Sequence, residues 1–155
     1  MKTTKITVIE APVSIVFNTL MDVDLATDWV PGLISYALIS ETPNVVGAVY
    51  ESKLQYNDVF YEQISVIKVL VENEYIRWSA TSPFCKSNVE YFLSPLSNMR
   101  TEFKHVSECS YKGFAKVWAW LAKSKLRTDT DAMLNESHAN FKSLVEIKYQ
   151  SQGRV

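Results

Sequence analysis

Glycine is scarce in this chain of 155 residues: Gly32, Gly47, Gly113 and Gly153 stand far apart. A loop that cradles phosphate needs clustered glycines so that bare backbone N–H groups can approach the anion, and that class of site is excluded. Proline numbers only five, which removes collagen-like and linker readings. Two cysteines, Cys85 and Cys109, are too few for a disulfide framework or a metal quartet. The two histidines, His105 and His138, have no accompanying carboxylate cluster, so neither a metal nor any other cofactor is expected. Charge of one sign is lacking too. Sixteen basic and 17 acidic residues give a net charge of −1, and no basic stripe for nucleic acid emerges. The nearest approach, Lys123, Lys125 and Arg127, reads as a solvated helix face. No apolar run reaches the ~18 residues that span a bilayer, so no integral membrane association is expected. The first eight residues alternate polar and apolar, unlike a signal peptide. Cysteine usage then places the protein in the reducing cytoplasm, its two thiols free.

What is present is apolar surface. The chain is 47% hydrophobic with four Trp, eight Tyr and seven Phe. Such a chain buries one core and is not disordered. We expect a single domain over residues 1–149 and a frayed tail over residues 150–155.

Alternation from Lys5 to Glu10 predicts a strand that stops at Ala11-Pro12. Val13, Val16, Phe17 and Leu20 then recur at helical spacing behind Pro12. Asp22, Asp24, Thr27 and Asp28 supply cap and turn chemistry around a second short helix that ends at Trp29-Val30-Pro31-Gly32. Six strands are predicted next, at 33–41, 47–56, 59–71, 75–81, 85–94 and 99–109, each bounded by turn residues. The last hairpin can be tested for register. A three-residue loop, Leu96-Ser97-Asn98, opposes Tyr91 to Phe103, Val89 to His105, Leu93 to Thr101 and Glu90 to Lys104, whereas a two-residue loop opposes Leu93 to Glu102. The three-residue loop is chemically compatible; it places Asn98 in the left-handed region and Cys85 opposite Cys109. From Gly113 the spacing of Phe114, Val117, Trp118, Leu121, Leu126, Met133, Leu134, Phe141, Leu144 and Val145 predicts one long helix, bent near Thr128–Asp131.

The order of elements is strand, two short helices, six-strand meander, long terminal helix. With Ile9-Glu10-Ala11-Pro12, Val16-Phe17, Leu20, Asp22, Trp29 and Pro31-Gly32, supported by Gly47, Thr101 and Phe103, the chain resembles the SRPBCC superfamily. That group includes START lipid-transfer domains and polyketide cyclase/dehydrase-like proteins. The resemblance implies an α+β helix-grip fold: a curved antiparallel sheet of about seven strands, with the long C-terminal helix across its concave face and a ligand cavity between them. The signature residues look architectural and none is a catalytic motif.

On that reading the inner faces line the cavity: Tyr50, Leu54 and Tyr56 from one strand, and Val89, Tyr91, Leu93, Thr101, Phe103 and His105 from the last two. Trp118, Leu121, Met133, Leu134, His138 and Phe141 complete it from the helix. The plainer reading of any one of these aromatics is core packing. From Val59 to Thr81 both faces carry apolar residues, which leaves the orientation of Arg77 and Trp78 open. His105 is the candidate general acid/base. Measured back from Gly113, the level of His105 meets the helix near Thr130–Leu134, with His138 a turn beyond, so the two histidines can pair across the cavity. The implied partner is a small hydrophobic, aromatic or lipid-like molecule. The alternatives are a cyclase/dehydrase-like enzyme using His105, and a protein-interaction module using the outer sheet face.

Overall fold

The computed structural model describes residues 1–153. Its strands are β1 (Lys2–Ile9), β2 (Leu33–Leu38), β3 (Val49–Tyr56), β4 (Val59–Val71), β5 (Tyr75–Thr81), β6 (Cys85–Ser97) and β7 (Arg100–Tyr111). They form one antiparallel sheet in the order β1-β7-β6-β5-β4-β3-β2. Strands β2 to β7 are a meander, and β1 closes onto β7. Between β1 and β2 lie helix α1 (Val13–Leu20), a 3₁₀ turn (Val23–Leu25) and the single turn α2 (Ala26–Trp29); after β7 come α3 (Gly113–Leu121) and α4 (Lys123–Gln152). This is the α+β helix-grip arrangement.

Pro12 caps α1 through its carbonyl, which accepts from the N–H groups of Ile15 and Val16 at 3.0 and 3.2 Å. Val16, Phe17 and Leu20 face inward and Trp29 is buried against Phe141, ring centroids 4.8 Å apart. Asp22 receives the Asp24 N–H at 3.0 Å, which starts the 3₁₀ turn.

Several expectations need correction. The β6–β7 turn is Asn98-Met99, two residues long, with Ser97 opposite Arg100 and a bulge at Leu96. The Ser97 hydroxyl accepts the Met99 N–H at 3.2 Å, and positive φ falls on Asn44, Asn57 and Asn73 rather than Asn98. Tyr91 therefore faces His105, Leu93 faces Phe103, Val89 faces Ser107, and Cys85 faces Tyr111 instead of Cys109. The slip is two residues, an even number, so each side chain keeps its face. In β4 a bulge between Ile67 and Val69 switches the inward parity from Tyr61, Ser65 and Ile67 to Leu70. That is why both faces looked apolar. On β5 Trp78 points inward with Ile76 and Ala80, edge-on to Tyr50 at 5.4 Å, and Arg77 lies outside.

The terminal helix is not continuous: it breaks at Ala122. Helix α4 also runs to Gln152, into the segment read as frayed; Arg154 and Val155 lie outside the described residues. Among the described residues no helix is long and apolar enough to cross a membrane.

Candidate ligand-binding site

Helix α4 crosses the concave face and is fastened along its length. At its start Asp129 accepts the Tyr56 hydroxyl at 2.5 Å. Midway the His138 Nδ1 lies 2.7 Å from the Thr7 hydroxyl. Further on, Lys142 donates to the Val8 carbonyl at 2.7 Å, and Glu146 accepts the Glu10 N–H at 2.8 Å. The helix thus travels from the β3–β4 hairpin to the far end of β1.

The inner face changes character along that path. At the β1 end it is solid: Ile9, Tyr50, Ile67, Ile76, Thr101, Phe103, Phe141 and Val145 are fully buried. Phe141 sits between Trp29 and Phe103, each 4.8 Å away by ring centroids. At the α3 end the corresponding side chains are only half-buried: Leu54, Tyr56, Tyr61, Cys85, Val89, Ser107, Cys109 and Tyr111 from the sheet, with Met133 and Leu134 from α4. A close-packed interior does not leave a run of inward-facing aromatics partly wet. The half-buried run lies on the concave face of β3 to β7, toward the first half of α4.

His105 stands where the two regimes meet. Its ring stacks parallel to His138, centroids 5.5 Å apart and planes 7° apart, and packs against Tyr91 at 4.7 Å. Its Nδ1 lies 3.4 Å from His138 Nε2, so Thr7, His138 and His105 form a chain. The chain ends at His105 Nε2, which is buried with no hydrogen-bond partner. If the Thr7 hydroxyl donates to His138, then His138 donates to His105, and His105 is left holding an unshared N–H; reversed, it is left with a bare lone pair. Either orphan costs about 1–3 kcal/mol until a ligand group satisfies it. Burial lowers the His105 pKa to about 3, with His138 adding to the effect. Burial, then Lys5, lowers that of His138 to about 4. Both rings are neutral at physiological pH.

The half-buried run carries hydroxyl and thiol groups. Burial raises the pKa of Tyr56, Tyr61 and Tyr111, so all three phenols stay protonated. Cys85 and Cys109 are free thiols on neighbouring strands. A hydrogen bond from Cys109, helped by the Ser82 hydroxyl and Lys112, lowers the Cys85 pKa and correspondingly raises that of Cys109.

The expected lining residues therefore separate. Leu54, Tyr56, Val89, His105, Met133 and Leu134 are half-buried, whereas Tyr50, Tyr91, Leu93, Thr101, Phe103 and Phe141 are buried in the core. The Tyr50 hydroxyl is occupied by Asn44, and the Thr101 hydroxyl donates to the Ala11 carbonyl at 2.8 Å. His138 is buried behind His105. Trp118 and Leu121 are 52% and 71% exposed, because α3 does not run back across the sheet. Sequence reasoning missed Tyr61, hidden by the β4 bulge, and Thr7, whose partner residues only the fold brings close. It also underestimated the helix position opposite His105. The nine residues of α3 are used before the chain turns back, so the facing residue is His138 itself.

Two depressions lie elsewhere. One of about 460 Å³ is bordered by Phe17, Met21, Val23, Asn44 and Leu70. The other, about 450 Å³, adjoins Tyr75, Phe92, Leu93 and Pro95. Among the described residues no group of three His, Cys, Asp or Glu is placed to hold a metal ion.

This meander and crossing helix form the helix-grip fold, and solved structures share it. The Zhui aromatase/cyclase from Streptomyces sp. R1128 superposes with a TM-score of 0.79 at 14% identity, covering 94% of this chain and 93% of that one. A START superfamily protein from Mycobacterium smegmatis gives 0.71 at 13% identity, covering 97% and 98%. The di-domain aromatase/cyclase BexL of the BE-7585A biosynthetic pathway gives 0.67 at 16% identity, covering 94% of this chain and 50% of that one. The chain matches no family model and no curated protein sequence.

Proposed function

We propose that this protein is a single helix-grip domain of the cytoplasm that binds a small hydrophobic, aromatic or lipid-like molecule in the cleft between its sheet and the first half of α4. The observation that carries the reading is the half-buried inner face from Leu54 to Tyr111, apolar and aromatic yet studded with hydroxyl and thiol groups. A planar or chain-like ligand buries its body against Leu54, Val89, Met133 and Leu134, while one polar group meets His105 Nε2 at the end of the cleft. The test uses 1-anilinonaphthalene-8-sulfonate. It should bind saturably, be displaced by flat aromatic or fatty compounds, and bind at least tenfold more weakly to Val89→Trp, which fills the cleft. Equal affinity in wild type and variant overturns the proposal.

A second reading, a cyclase- or dehydrase-like enzyme, is favoured by the Thr7–His138–His105 chain and by the two aromatase/cyclases among the structural relatives. With both histidines neutral, His105 serves there as a base or a neutral hydrogen-bond donor, so its activity is flat between pH 5 and 8 and is lost in His105→Ala. Turnover unaffected by His105→Ala removes that role.

A further inference from the structure

Helix α3 is built inside out. Its small residues Ala115 and Ala119 are the half-buried ones, whereas Phe114, Val117, Trp118 and Leu121, spaced as one stripe, face solvent at 90%, 53%, 52% and 71% exposure. Trp120, on the Lys116 side of the helix, is 75% exposed. An apolar stripe on a helix of a water-soluble domain ordinarily faces the core, and a contiguous exposed one marks a surface that meets something apolar. The charge around it is equally one-sided. Residues 109–128 contain Lys112, Lys116, Lys123, Lys125 and Arg127 and no acidic residue, in a chain whose net charge is −1. Lys116, Lys123, Lys125 and Arg127 are all exposed, and Lys112 is tied to the Ser82 carbonyl at 3.0 Å.

We infer that α3 is a peripheral membrane anchor. It lies in the interface of an anionic phospholipid bilayer, with Phe114, Val117, Trp118 and Leu121 among the acyl chains and the flanking basic residues on the phosphates. Tryptophan and phenylalanine on one side and lysines without acidic neighbours on the other are what such a surface selects. A second copy of the chain is a poorer occupant. A two-fold interface sets two patches flanked by the same basic residues against each other, which like-charge repulsion opposes. Because α3 follows directly on Tyr111, docking sets the open end of the cleft against the bilayer. The inference stands whether or not the cleft binds a ligand.

Sedimentation with vesicles of phosphatidylcholine containing 30% phosphatidylglycerol tests it, alongside pure phosphatidylcholine vesicles. We expect binding to the anionic vesicles only, falling with added salt, with tryptophan fluorescence quenched by brominated acyl chains. Phe114→Ser/Trp118→Ser abolishes binding, and each of Lys123→Gln and Lys125→Gln weakens it by about fivefold. These sites are exposed, and an unchanged circular dichroism spectrum establishes that the variants fold. No binding to anionic vesicles at low salt overturns the inference. Equal binding to both vesicle types overturns it as well, as does a dimer in light scattering that the double variant dissolves.

Discussion

At the scale of the residue, the Thr7–His138–His105 chain makes a claim about pH. Both histidines are held neutral, at about 3 and about 4, against roughly 6.5 in an unfolded chain. Above pH 6.5 neither state carries the proton, and their contribution to stability is full. As pH falls below 6.5 the unfolded chain takes up protons that the fold refuses, so stability is lost down to about pH 4, at up to about 1.4 kcal/mol per pH unit for each ring. His105→Phe removes one of the two rings. It exchanges one orphan for another, since the partnerless His105 Nε2 is removed while His138 Nε2 loses its partner at 3.4 Å, so we expect near-wild-type stability at pH 7. Between pH 6.5 and 4.5 the variant's urea midpoint falls less steeply than that of wild type; parallel slopes contradict the neutral-histidine assignment.

At the scale of the element, what could be read from the sequence depended on whether a pattern carried its own reference. The faces of β6 and β7 were legible because side-chain parity survives an even slip in register. Tyr91, Phe103 and His105 remain inward although each pairs two residues from where the loop length suggested. The face of β4 was not legible, because one bulged residue reverses parity midway and leaves no mark in hydropathy. The stripe of α3 was legible as a stripe, but periodicity states that a face is apolar and not what covers it. The Pro31-Gly32 signature was legible as a turn, and the structure gives it a reason. Gly32 has φ +76°, and an added Cβ would sit 2.5 Å from the Gln55 carbonyl oxygen, whose own residue donates its N–H to the Gly32 carbonyl at 2.8 Å. At Gly113, φ is +50° and an added Cβ meets nothing within 4 Å. Gly32→Ala should therefore cost at least about 2 kcal/mol, against about 1 kcal/mol for Gly113→Ala, which bears the backbone term alone. Urea titrations with unchanged m-values measure the difference, and equal costs contradict the close approach.

At the scale of the whole molecule, the helix-grip fold divides into a solid end and an open end, and stability should be divided with it. The solid end holds Phe103, Phe141, Val145 and Trp29 in mutual contact and fastens α4 through Lys142 and Glu146. The open end has half-buried side chains, the Tyr56–Asp129 hydrogen bond and α3, whose bulky residues face water. Local opening is cheapest where few apolar groups are buried. Amide hydrogen exchange should accordingly be graded along the C-terminal helices. The amides of α3 exchange fastest, those between Leu126 and Leu134 are intermediate, and those from His138 to Tyr149 open only with the globular core. An aromatic ligand in the cleft raises protection between Leu126 and Leu134 without changing it beyond His138, because that segment is already sealed. Uniform protection over the whole of α4 contradicts the division. Ligand-induced protection confined to residues beyond His138 shows instead that the molecule binds at the solid end.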